Sequence, residues 1–133
     1  MGTRGQEAKG ATSDGRRDIQ ARTFSFALSI VRLCRQLDGA PGVRRILAAQ
    51  LLRSGTSVGA NVEEAQAAQS RADFISKYSI ALKEARESRY WLRIMSESQL
   101  IDRPIIIPLL QESSELSRIL GAIVSRAKRR AVS

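Results

Sequence analysis

The 133-residue chain has no histidine and a single cysteine, Cys34. Without histidine there is no Ser-His-Asp triad, no Cys-His pair, no zincin motif and no histidine-ligated haem. A Glu-x-x-His di-iron site and a helical RNase of the Arg-to-His kind are excluded for the same reason. One cysteine rules out an internal disulfide and a Cys-only zinc site. Aromatic residues are scarce, at 5%. Long apolar runs are missing too: Ile105-Ile106-Ile107 stops at Pro108, so no transmembrane helix is expected. The N-terminus lacks the apolar stretch of a secretory signal. Met1-Gly2 begins like a myristoylation motif, but Gln6 stands where Ser or Thr is needed. A cytoplasmic protein is expected, and one free thiol agrees with a reducing compartment.

Acidic residues are also in deficit, with 13 Asp+Glu against 22 Lys+Arg and a formal net charge of +9. Of the basic residues, eighteen are arginine and four lysine. Arginine forks onto phosphates and stacks on bases, which suits an anionic partner. A GC-rich genome gives the same bias without any such partner. Length suggests one small domain with one core.

Residues 1–17 hold four of the nine glycines and no branched aliphatic or aromatic side chain. Too little apolar area is available there to offset ordering, so a disordered basic tail is expected. Residues 18–130 read as one helical domain. In the first helix Phe26, Ile30, Leu33 and Leu37 share one face. Asp38-Gly39-Ala40-Pro41-Gly42 ends it. A second helix from Val43 carries Leu47, Leu51, Ser54, Val58, Asn61 and Ala65 at helical spacing. Gly55 and Gly59 inside it imply either a close approach by another helix or a kink. Ser70-Arg71-Ala72-Asp73 forms a capping box, with Ser70 as N-cap, ahead of a third helix. Its seam is Phe74, Tyr78, Ala81, Ala85, Ser88, Leu92 and Met95. The fourth helix begins at Asp102 or Arg103, with Pro104 in its first turn and Pro108 soon after. Ile106, Leu109, Ser113, Leu116, Leu120, Ile123 and Ala127 form its seam. The fold class is all-α, an up-down-up-down antiparallel four-helix bundle.

Some apolar residues lie off these seams. Ile80, Trp91 and Ile94 on the third helix and Ile119 on the fourth make a second stripe, expected to be an oligomer interface. Asn61 is expected to be a structural polar residue of the core, hydrogen-bonded to fix registry. Cys34, beside Leu33 and Leu37, reads as core packing. Two Glu-x-x-Glu pairs, Glu84/Glu87 and Glu112/Glu115, could hold magnesium in a nucleotide hydrolase. They avoid the core seam, and arginines and lysines surround the first pair, so salt bridging is the simpler role. No catalytic residue, metal or cofactor is expected. Candidate nucleic-acid contacts are Lys83, Arg86, Arg89 and Arg93 on the third helix, with Arg126, Lys128, Arg129 and Arg130 at the C-terminus. A solvated helix face explains these residues as well.

Leu51-Leu52-Arg53-Ser54-Gly55-Thr56-Ser57-Val58-Gly59-Ala60-Asn61-Val62-Glu63-Glu64 carries a family resemblance. It continues through Asp73-Phe74, Ala81-Leu82-Lys83-Glu84-Ala85-Arg86-Glu87-Ser88 and Tyr90-Trp91-Leu92. Over about residues 22–128 the chain resembles the four helix bundle proteins, also called 23S rRNA-intervening sequence proteins. Gly59 stands where many members carry proline. The resemblance implies an up-and-down bundle in a homopentameric ring with no known catalytic activity. Accessory variability determinants of diversity-generating retroelements are similar in fold, and bind nucleic acid and a reverse transcriptase through a basic pentameric surface. The expected protein is thus a non-enzymatic homopentamer that binds RNA, DNA or a nucleoprotein, without a membrane or a small-molecule substrate. The alternatives are a protein-protein scaffold and the magnesium-dependent hydrolase.

Overall fold

The computed structural model describes the backbone of residues 11–132 and the side chains from Asp18 to Val132. Among the described residues four helices follow in order: α1 (Ala11–Gln36), α2 (Val43–Gln66), α3 (Arg71–Glu97) and α4 (Arg103–Val132). No strand occurs among the described residues. Neighbours in sequence pack together, and α1 closes against α4, while the backbones of the diagonal pairs α1–α3 and α2–α4 stay apart. Short turns make consecutive helices antiparallel, so the architecture is the expected four-helix bundle.

The helix ends follow their local chemistry. Gly39 takes φ +83° after α1, and Gly42 takes φ +72° before α2, where a side chain would be strained. The Ser70 hydroxyl accepts from the Asp73 N–H at 3.0 Å, as the capping box predicts. Asp73 Oδ2 in turn accepts from the Gln69 N–H at 3.3 Å. α4 is entered at Asp102, whose carbonyl accepts from Ile105 and Ile106. Pro104 therefore sits in the first turn. Pro108 is inside the helix but exposed, and the helix runs on through it.

The start of α1 corrects the expected tail at its inner end. Residues 11–17 continue the helix, and residues 1–10 lie outside the described residues. Once Ile19 and Phe26 anchor a helix in the core, each added residue gains a backbone hydrogen bond without a new nucleation cost.

Core positions are largely those of the sequence pattern. Phe26, Ile30, Leu51, Val58, Tyr78, Leu92, Ile106, Leu116 and Leu120 are all buried. Each such side chain contributes about 1.5–3 kcal/mol through removal from water. Cys34 packs in this core, and its thiol donates to the Ala48 carbonyl at 3.4 Å.

α2 has no break at its glycines. A Cβ on Gly55 would stand 2.9 Å from two side-chain atoms of Ile30. One on Gly59 would stand 3.2 Å from the Thr23 carbonyl oxygen. The glycines therefore serve the close approach of α1. Across the next seam, the buried hydroxyls of Ser54 and Ser88 share a hydrogen bond at 3.0 Å. Asn61 does not occupy the core. Val62 fills that place, and half-buried Asn61 donates from Nδ2 to the Ser57 carbonyl of its own helix at 2.8 Å. It cannot fix registry between helices through that bond.

Candidate nucleic-acid interface

α3 and α4 flank a groove of about 780 Å³, into which both helices project arginines. α3 supplies Arg89 and Arg93, while α4 supplies Arg103 and Arg118. Arg89 is positioned by its Nε, which donates to Ser114 Oγ at 2.8 Å. Arg93 lies 3.5 Å from Glu97 one turn on, an exposed pair of little energetic weight. Glu115 also lines the groove, but its Oε1 is 3.1 Å from Arg22 of α1. Among the described residues no carboxylate pairs with Arg103 or Arg118. Four guanidinium groups against two carboxylates leave the groove positive, and guanidinium forks match phosphate oxygens.

Arg103 and Arg118 are absent from the sequence-predicted set, because neither belongs to a run of basic residues. The missed signal is a stripe on α4, Arg103, Ile107, Gln111, Ser114 and Arg118, at spacings of 4, 4, 3 and 4. Arg86 and Lys83 are exposed on α3 but do not line the groove. The C-terminal cluster divides. Arg126 and Arg130 line a different cavity at the other end of the α3–α4 pair, whereas Lys128 and Arg129 are exposed outside both.

The two glutamate pairs are kept apart. Glu84 and Glu87 hold Arg53 on the α2–α3 seam, where Glu87 also accepts from Trp91 Nε1 at 3.1 Å. Glu112 grips Arg22 bidentately on the α1–α4 seam, at 2.6 and 3.1 Å. The hydrogen bond to Glu112 raises the Arg22 pKa above its ordinary value, against the opposing effect of burial. Each pair thus neutralises an arginine, and no single site contains all four carboxylates. Among the described residues no cluster of acidic and cysteine side chains could hold a metal ion.

Of the expected interface residues, Ile80 is exposed and Ile94 half-buried. Trp91 and Ile119 are partly buried against the chain's own core. More apolar surface is exposed over the α1–α2 pair. Phe24 (63% exposed), Leu28 and Val31 form a 4, 3 stripe on α1, and Leu52 is exposed on α2. That stripe was legible from spacing, but the stronger core seam beside it masked it.

A family model for the 23S rRNA-intervening sequence protein matches residues 16–122. The chain belongs to the 23S rRNA-intervening sequence protein family. The match spans α1 through most of α4, so the groove between α3 and α4 lies within the family's fold. A solved structure from Bacteroides thetaiotaomicron, described as a protein of unknown function from the S23 ribosomal protein family, is similar. It is 39% identical, covers 84% of this chain and 98% of its own, and superposes with a TM-score of 0.77. No curated protein matches the chain. Neither description names an enzyme. No helix of the described residues is long and apolar enough to cross a membrane.

Proposed function

We propose that this member of the 23S rRNA-intervening sequence family is a non-enzymatic homo-oligomer that holds RNA, DNA or a nucleoprotein by its phosphates. The observation that carries this reading is the groove where Arg89, Arg93, Arg103 and Arg118 converge. Exposed Lys83, Arg86, Lys128 and Arg129 extend the basic surface beyond it. Guanidinium contacts of this kind position a backbone and do not read bases. The family resemblance favours a pentamer, and the apolar α1–α2 and α3 faces supply surface for self-association. Five copies at +9 each bring about +45 formal charges into one particle. Binding is then avid and steeply salt-dependent. The test is retention of structured RNA or duplex DNA at roughly 50 mM salt, followed by release as salt is raised. Absence of salt-dependent retention would sink the reading.

Exposed Phe24, Leu28 and Val31 favour a second reading, a scaffold that binds a protein partner. It predicts an oligomer indifferent to nucleic acid, so the same retention experiment separates the two. Light scattering that finds a 14.6 kDa monomer would remove the oligomer from both.

A further inference from the structure

A second cavity, of about 640 Å³, opens where the α2–α3 turn meets the end of α4. It falls within the ~300–1,000 Å³ typical of small-molecule sites. Its walls differ from those of the basic groove. Phe74, Tyr78, Ile119 and Ile123, all buried or half-buried, form an apolar floor. The Phe74 and Tyr78 rings lie 4.7 Å apart, tilted by 45°. Three exposed arginines also line it, Arg71 of α3 with Arg126 and Arg130 of α4. Among the described residues neither Arg71 nor Arg126 has a salt-bridge partner. The nearest acidic residue in sequence, Asp73, does not line the cavity and is held by the Gln69 N–H.

An aromatic and aliphatic floor beside three guanidinium groups suits a flat ring that carries a phosphate. The ring finds a stacking surface on Phe74, and the phosphate finds charge-assisted donors in the arginines. We infer that this end cavity binds a nucleoside monophosphate, either free or as the phosphorylated terminal residue of a strand. The sequence alone suggested no small-molecule partner. The ligand here is held and not transformed. The site lies away from the basic groove and does not depend on it.

The test is ligand-observed NMR on the full chain with AMP, GMP, CMP and UMP, each beside its unphosphorylated nucleoside and inorganic phosphate. Saturable binding of the monophosphates is expected, with the nucleoside and phosphate alone weaker by roughly tenfold or more. Arg71→Gln/Arg126→Gln, at two exposed positions, should weaken monophosphate binding by a similar factor, and Phe74→Leu should weaken purine nucleotides most. Short RNAs with and without a terminal phosphate identify the source. If only the phosphorylated strand binds, and the double variant abolishes its advantage, the ligand is a strand end. No saturable binding of any monophosphate or phosphorylated end overturns the proposal. So does equal affinity for nucleoside and nucleotide, or binding unchanged in the double variant.

Discussion

Gly55 and Ile30 meet so closely that a single added methyl at Gly55 would stand 2.9 Å from the Ile30 side chain. Ile30 is fully buried and β-branched, so it has little room to turn away. Gly55→Ala gains about 1 kcal/mol of helix propensity but loses roughly 1–3 kcal/mol to overpacking. The expected result is a lower melting temperature. Gly121, with nothing within 4 Å of a built Cβ, should respond oppositely, and Gly121→Ala should add up to about 1 kcal/mol. Thermal unfolding of both variants decides the point, and a stabilised Gly55→Ala would refute the close-packing account.

Gln99, just after α3, has φ 61°, the one positive-φ residue other than glycine among the described residues. The Leu100 N–H bonds the Met95 carbonyl at 3.0 Å, which closes the helix end around this left-handed residue. Gln99→Gly relieves the strain and should stabilise the protein by up to about 1 kcal/mol, read as a higher urea midpoint. A lower midpoint would show that the Gln99 side chain contributes more than its backbone costs.

Burial pushes the Cys34 thiol up from its ordinary 9.0 to about 11. The unfolded chain therefore releases this proton first as pH rises. Stability from this group is intact below about pH 9 and is lost progressively toward pH 11. Other groups titrate in the same window, so the measurement is a comparison of wild type with Cys34→Ala. The difference in denaturation midpoint between the two should narrow as pH rises through that range. A constant difference would mean the thiol is not desolvated.

For the groove, Arg103→Gln and Arg118→Gln are each expected to lower the salt slope of nucleic-acid binding by about one. Affinity should fall by the same factor for unrelated sequences, because phosphate contacts carry no base information. Anisotropy titrations of two unrelated duplexes over a salt series give both quantities. Unchanged slopes would exclude this groove as the contact surface.

Much of the fold was readable because burial imposes a period. Tyr78, Ala81, Ala85, Ser88, Leu92 and Met95 all turn inward as their spacing requires. Asn61 misled because it shares the seam rhythm, while adjacent Val62 is the better core filler and takes the inner place. Gly55 and Gly59 were ambiguous because a glycine pair looks alike in a kink and in a tight crossing. Only the position of α1 resolves that. The site was half legible. Arg89 and Arg93 stand out within one helix, but Arg103 and Arg118 gain meaning only when α4 is laid beside α3.

The seam between α1 and α4 is the slightest of the four, and Arg22 with Glu112 and Glu115 is its chief polar fastening. Local opening should therefore start there, with α1 lifting while α2, α3 and α4 remain a three-helix unit. Amide protons of α1 would then exchange through a partial opening, at lower free energy than those of α3, which is wedged between two broad seams. Arg22→Gln would widen that gap, and the weakened fastening would appear as faster exchange along α1 before it registers in global unfolding.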